Sequence, residues 1–202
     1  MSGDKNIVWH CGDVTNRDRH RLNRHRSCLI WFTGLPASGK STIAHALEKE
    51  LFDRGIRSYV LDGDNIRHGL NSDLGFSRED RKENLRRVAE LSKLFVDAGV
   101  VVLAAFVSPF REDRKYVRDI LGDESFFEFY VKCSPEICEH RDPKGQYKKA
   151  REGVIKNYTG VSAPYEEPEK PDLVLNTEEL PVEESVEKIL KFLDSRKFIL
   201  LL

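Results

Sequence analysis

Long apolar runs are missing from this chain of 202 residues. No stretch approaches the ~20 apolar residues that a membrane-spanning helix needs, so no membrane partner is expected. The opening Met1-Ser2-Gly3-Asp4-Lys5 carries no apolar core of the secretory kind, and a cytoplasmic location is the expectation. Cysteine is scarce: Cys11, Cys28, Cys133 and Cys138 include no C-x-x-C pair, which favours buried reduced thiols over a metal site. A surplus of one charge sign is also absent. The formal net charge of −1 argues against broad nucleic-acid binding, although it leaves room for a local basic pocket. No internal repeat or low-complexity tract occurs. What remains is 40% hydrophobic and 33% charged, the balance of one globular domain with a substantial core.

The most informative stretch is Gly34-Leu35-Pro36-Ala37-Ser38-Gly39-Lys40-Ser41, which fits G-x-x-x-x-G-K-[ST] at every fixed position. The apolar run from Cys28 to Thr33 before it has strand length, and Thr42 to Leu51 after it has helical spacing. A strand entering a Gly-rich loop that opens a helix is a polyphosphate cradle: backbone N–H groups turn inward around the phosphates. Lys40 can then reach the β and γ oxygens, and the Ser41 hydroxyl is offered to Mg2+.

Further strands are expected at Ser58–Leu61, Val100–Val107, Phe126–Val131 and Leu173–Leu175. Helices are expected from near Ser77, around 112–121, from near Pro135, and with Pro181 opening a last one that places Val182, Val186, Ile189 and Leu193 on one face. Ser77 with Asp80 resembles a capping box; Leu85, Val88, Ala89, Ser92 and Phe95 then face inward, and Gly99 stops that helix. Strands alternating with helices predict an α/β, three-layer P-loop NTPase fold: a mostly parallel five-stranded sheet with helices on both faces. Ligands of such sheets sit at the carboxyl ends of the strands. Three polar segments fall there: the Gly-rich loop, Asp62-Gly63-Asp64, and Ser108-Pro109-Phe110-Arg111.

The expected organisation is a polar N-terminal arm at 1–27, a kinase-type domain at 28–195 and an apolar tail at 196–202. The arm, rich in Arg and His, reads as a solvated helix rather than a nucleic-acid arm. Ile7 to His10 could form a short strand, with Trp9 as a packing or dimer contact, which leaves a homodimer open. Between about 142 and 170 lies a polar segment containing Lys144, Lys148, Lys149, Arg151 and Lys156 with glycine hinges, suited to a basic lid. The tail could pack on the core, join a partner or fray.

Asp62 and Asp64, two apart after a strand, can converge on one point. Phosphoryl transfer to a hydroxyl needs a carboxylate to orient the acceptor and take its proton, and a second can hold Mg2+. Asp before a helix is also a common cap, and one residue of each kind is compatible with the spacing. Arg81 and Asn84 share a helix face, and with Arg67 they could bind phosphate or sulfate oxygens. Salt bridges to Glu79 and Glu83 are the competing reading. Phe76 could stack on a base or enter the core. An N-K-x-D guanine motif is absent, which disfavours a GTPase switch. A nonreactive nucleotide-binding module is disfavoured because Lys40, Asp62 and Asp64 are all retained.

Taken together, Ile30 to Thr42, Leu61 to Arg67, Asn84 with its neighbours, Ala105 to Arg111 and Lys144 to Arg151 resemble the adenylylsulfate kinase (APS kinase) family, from about Asp13 to Leu193. The resemblance implies transfer of the ATP γ-phosphoryl to the 3′-hydroxyl of adenosine 5′-phosphosulfate (APS), with Mg2+ as cofactor and these two nucleotides as the partners. It implies that Asp64 orients or deprotonates the ribose hydroxyl, that Asp62 supports metal and acceptor, and that Arg67, Arg81 and Asn84 hold the phosphosulfate. Phe76 and Tyr165 would sandwich the acceptor adenine, Lys144 would close over the phosphates, and Arg141 would lie near the ATP adenine. Ser108, beside Pro109, matches the family's phosphoserine position; direct in-line transfer needs no covalent intermediate, and Ser108 then serves substrate binding. Gln146 departs from the family's usual leucine, and Ser162-Ala163 stands where acidic residues are common.

Overall fold

The structure, a computed structural model, describes residues 7–8 and 10–199. Five strands, β1 (Leu29–Thr33), β2 (Ser58–Asp62), β3 (Val101–Ala105), β4 (Phe126–Lys132) and β5 (Leu173–Asn176), form one sheet in the order β2-β3-β1-β4-β5. Every neighbouring pair is parallel. Parallel neighbours require crossovers, and helices supply them. Those between strands are α2 (Lys40–Asp53), α3 (Gly63–His68), α4 (Arg78–Asp97), α5 (Arg111–Leu121), α6 (Pro135–Arg141) and α7 (Gln146–Arg151); α1 (Asn16–Asn23) precedes β1 and α8 (Val182–Ser195) follows β5.

The period-two geometry of β1 divides the core. Cys28, Ile30 and Phe32 point to one face, where α2 and α8 deliver Ile43, Leu47, Leu51, Ile189 and Leu193. Leu29 and Trp31 point to the other, against Leu85, Val88 and Ala89 of α4 and Val117 of α5. All five β1 residues are buried, so the strand reads as a continuous apolar run rather than an alternation. A third cluster of Leu35, Cys133, Cys138 and Tyr147 lies outside the sheet and ties the segment around α7 to the Gly-rich loop.

The elements expected from sequence are present, with some differences. β3 stops at Ala105 instead of Val107, because the chain leaves the sheet and turns at Ser108, whose φ is 39°. Pro181 is the cap before α8, not its first residue. Ser77 caps α4 by accepting from the Asp80 N–H at 3.0 Å. α1 is the solvated helix anticipated for the arm, closed by a reciprocal capping box of Thr15 and Asp18. Residues 7, 8 and 10 form no strand, and Trp9 lies outside the described residues. At the other end Phe198 and Ile199 join the core, and Phe127 meets the Phe198 ring edge-on at 5.1 Å. Among the described residues no helix is long and apolar enough to cross a membrane.

Candidate active site

Gly34 to Ser41 turn directly off β1 into α2. Gly34 is required by close approach: a Cβ there would overlap the Val131 carbonyl oxygen and lie 2.9 Å from Ser38 Oγ. Gly39 caps α2 at φ 103°, a conformation glycine reaches without Cβ strain. The first turn of α2 therefore faces the loop with free N–H groups and the positive end of the helix dipole, which favours anions.

Lys40 lies inside this loop. Its Nζ donates to the Leu35 carbonyl at 2.6 Å and the Gly34 carbonyl at 3.1 Å. Burial pulls its pKa down to about 8, with Asp62 and Asp64 among the charges opposing the shift. Ser41 Oγ donates to Asp62 Oδ2 at 2.6 Å, so the end of β2 meets the start of α2. Asp62 Oδ1 accepts from the Asp64 N–H at 2.9 Å, capping α3. Asp62 thus combines both readings its sequence allowed: a helix cap and a carboxylate against the phosphate loop. Asp64 is exposed and forms an ion pair with Lys144 from the basic segment, which holds the Lys144 pKa above its ordinary value.

That segment is anchored to the loop. Tyr147 of α7 is fully buried and donates its hydroxyl to the Pro36 carbonyl at 3.1 Å. Arg141, at the end of α6, reaches Thr177 through both its carbonyl at 2.6 Å and its hydroxyl at 3.1 Å. The Thr177 hydroxyl donates to the Ser38 carbonyl at 2.8 Å, which places Arg141 one residue away from the phosphate loop.

Around the start of α4, Phe76 is 66% exposed, so the core reading is overturned. The loop carrying it turns outward, and Arg67 covers one side of its ring at 4.5 Å. Arg67 also donates to the Leu74 and Gly75 carbonyls. Arg81 donates to the Phe76 carbonyl at 3.0 Å and the Asn157 carbonyl at 3.1 Å, linking α4 to the basic segment. The competing salt bridges do not form: Glu83 pairs with Arg86 and Arg87, and neither Arg67 nor Arg81 bonds to Glu79. Asn84 is buried, its side-chain oxygen accepting from Asn71 at 2.9 Å.

Ser108 is 4% exposed. Its Oγ accepts from Trp31 Nε1 at 3.0 Å and donates to Thr33 Oγ1 at 2.9 Å. Thr33 donates its one proton to the Val107 carbonyl at 2.9 Å, so the Tyr165 hydroxyl, 3.0 Å away, donates to Thr33. Arg114 of α5 supports the same region. Only 2% exposed, it donates to Glu128 at 2.6 Å, the Ser108 carbonyl at 2.6 Å and the Glu166 carbonyl at 2.7 Å. The Pro109 carbonyl accepts from the Glu166 N–H at 2.8 Å. Thr33, Arg114, Tyr147 and Thr177 were not singled out from sequence, since a threonine in a strand or an arginine in a helix carries no local signature.

The residues therefore gather into two connected groups at the carboxyl ends of the strands. One comprises the phosphate loop with Asp62, Asp64, Lys144 and Arg141. The other comprises the Phe76 platform with Arg67 and Arg81, and the Ser108–Tyr165 region. The arrangement can hold a polyphosphate beside a carboxylate, with a second ligand opposite.

Comparison with known proteins gives one consistent picture. A family model described as adenylylsulphate kinase matches residues 26–176. A probable adenylyl-sulfate kinase of Halalkalibacterium halodurans is 60% identical over 196 residues, 97% of each chain. An adenylyl-sulfate kinase of Staphylococcus carnosus is 59% identical over 98% of this chain and all of that protein. Among solved structures, the Mycobacterium tuberculosis APS kinase CysC in complex with AMPPNP and APS superposes with a TM-score of 0.81 at 45% identity. It covers 84% of this chain and 99% of that one.

Proposed function

The chain belongs to the adenylylsulphate kinase family, and we propose that the two groups of residues above are its donor and acceptor sites. The chain is an ATP-dependent phosphotransferase that passes the γ-phosphoryl group to the 3′-hydroxyl of APS. The bond from the γ-phosphorus to the β–γ bridging oxygen breaks, a bond from that phosphorus to the ribose oxygen forms, and ADP leaves with the bridging oxygen. The products are 3′-phosphoadenosine 5′-phosphosulfate (PAPS) and ADP.

In this reading Gly34 to Thr42 cradle the triphosphate through backbone N–H groups, and Lys40 turns from the loop carbonyls to the β and γ oxygens. Arg141 lies toward the adenine end. Asp64 accepts the 3′-hydroxyl proton, and Lys144 swings from Asp64 to the transferring phosphoryl group. Arg67, Arg81 and Asn84 serve the phosphosulfate, while Phe76 and Tyr165 flank the acceptor base. Ser41 and Asp62 form an all-oxygen pair, and among the described residues no group of three or more His, Cys, Asp and Glu could hold a metal. This sparse set fits Mg2+, which takes most of its ligands from phosphates and water. Bound there, Mg2+ would supply charge neutralisation on the β and γ oxygens. Ser108 keeps the acceptor loop in place rather than carrying a phosphoryl group, since its Oγ is buried and engaged on both sides.

The observation that carries the assignment is the continuous contact from Ser41 through Asp62 and Asp64 to Lys144 at the mouth of the phosphate loop. Asp64→Asn tests it. AMPPNP affinity by calorimetry is expected to stay within about twofold, while kcat in a coupled ADP assay falls by about 10²–10⁴-fold, the range for loss of a general base. Wild-type turnover by the variant removes Asp64 from this role. Turnover of AMP, shikimate or gluconate with none of APS overturns the acceptor.

A further inference from the structure

The basic arm carries charge that the phosphotransfer site does not use. Arg17, Arg21 and Arg24 stand on one face of α1 and its cap, and Arg26 and Lys197 face them across a concavity of ≈ 700 Å³. All five are exposed, while Phe198 and Ile199 are buried beneath them. Among the described residues the only acidic one lining the concavity is Asp18, and it is already occupied by Thr15 and, at 3.4 Å, by Arg21. Both ring nitrogens of His25 are taken, by the Arg26 carbonyl and the Arg57 N–H. Burial and the neighbouring Arg26 hold His20 below the usual histidine pKa.

Backbone strain gives a second, independent mark. Five non-glycine residues in the described chain have positive φ. Ala37, Ser108 and Asn157 belong to the active-site loops. The other two, Arg24 at 60° and Lys197 at 59°, both line this concavity. Both follow helix ends, where glycine adopts the left-handed conformation without penalty and other residues are strained by their Cβ. The cations thus occupy positions at which the backbone favours glycine.

The concavity also lies at the opposite pole from the active site. His25 holds the start of β2 through Arg57, and Ser27 donates to the Val96 carbonyl near the end of α4, so this is the amino end of the strands. β1 connects Arg26 to Gly34 across its five residues, a span of roughly 17 Å.

We infer that this concavity is a second anion site, separate from the ATP and APS sites, for a small ligand bearing two or more phosphate-type groups. Its volume is that of a small-molecule pocket, and its cations are spaced around a recess rather than along a track. Bidentate guanidinium contacts are the chemistry that would recognise such a ligand.

The test is calorimetric titration of inorganic tripolyphosphate into the full chain saturated with AMPPNP, so that the phosphate loop is already filled. One site per chain is expected, weakening with added salt. The variant Arg24→Asn/Lys197→Asn keeps residues that tolerate positive φ. It should weaken this binding by about tenfold or more while its melting temperature and APS turnover stay unchanged or rise. Absence of binding to the AMPPNP-saturated chain overturns the proposal, as does equal binding by the double variant. A drop in the variant's melting temperature also overturns it, since the cations would then serve the helix ends. Tighter binding of a 12-nucleotide single strand or a polyglutamate peptide than of tripolyphosphate assigns the surface to a macromolecule and overturns the small-ligand reading.

Discussion

Thr33→Val is the sharpest test of how the acceptor side is built. The substitution is nearly isosteric and removes one hydroxyl from a residue that is fully buried, directly before the phosphate loop. That hydroxyl donates to the Val107 carbonyl, accepts from Ser108 and accepts from Tyr165. Ser108 has a fallback, the Phe106 carbonyl at 3.4 Å, and keeps the Trp31 N–H. The Val107 carbonyl and the Tyr165 hydroxyl lose their partner outright. Both residues retain partial exposure, so the cost is about 1–2 kcal/mol for each, or about 2–4 kcal/mol in all. None of the three bonds reaches the phosphate loop, whereas all three hold the Ser108 loop or the Tyr165 segment. The KM for APS is therefore expected to rise by about tenfold, the equivalent of about 1.4 kcal/mol, with the KM for ATP within about twofold. Thr33→Ser keeps the hydroxyl and should restore the APS KM. Denaturant unfolding and steady-state kinetics read both effects. An unchanged unfolding midpoint with Thr33→Val, or equal rises in the two KM values, refutes the reasoning.

Two further outcomes follow from the phosphate loop. Folding lowers the Lys40 pKa from its ordinary value of 10.5 to about 8, so between these values the unfolded chain binds the extra proton. This group's contribution to stability therefore rises with pH from about 8 to 10.5, and its penalty is fully present below 8. Polyphosphate charge reverses the shift, so AMPPNP binding near pH 9 takes up a proton and weakens as pH rises. Calorimetry in buffers of different ionisation enthalpy measures the uptake, and Lys40→Met should abolish it. Gly34→Ala forces a methyl group against the Val131 carbonyl and Ser38 Oγ, costing about 1–3 kcal/mol by thermal unfolding along with much of the AMPPNP affinity.

The legible parts of this protein were those whose physics is local in the chain. The Gly34–Ser41 loop combines two backbone constraints, at Gly34 and Gly39, with a lysine and a hydroxyl at fixed offsets, so eight consecutive residues carry the proposed donor site. The sheet was legible for a similar reason: a buried parallel strand must be apolar along nearly all its length, and Leu29 to Phe32 and Val101 to Ala105 are. Of the two short helices, α3 is signalled only by the capping reading of Asp62 and α7 by nothing local, because six residues give too little periodicity and their order depends on contacts made elsewhere. Asp62 caps the first, and Tyr147 anchors the second to Pro36, 111 residues away in sequence.

The acceptor side was less legible because its order depends on long-range partners. Phe76 shows why. Its neighbours in sequence are compatible with either a core or a surface ring, and the decision is made by Arg67 and Arg81 binding the carbonyls of its own loop. Those bonds hold the loop off the core and leave the ring 66% exposed. Arg114 makes the complementary case. A buried guanidinium is tolerated only when its N–H groups are met, and here Glu128, the Ser108 carbonyl and the Glu166 carbonyl meet them. These partners lie 14, 6 and 52 residues away, so no window along the chain reveals the role. One arginine thereby fixes the spacing between the Ser108 loop and the Tyr165 segment. In the proposed arrangement the donor site is encoded by consecutive residues, and the acceptor site by side chains that bind other segments' backbone. A substitution at Arg114 should therefore disturb APS binding before it disturbs ATP binding, although Arg114 faces neither nucleotide in the proposed arrangement.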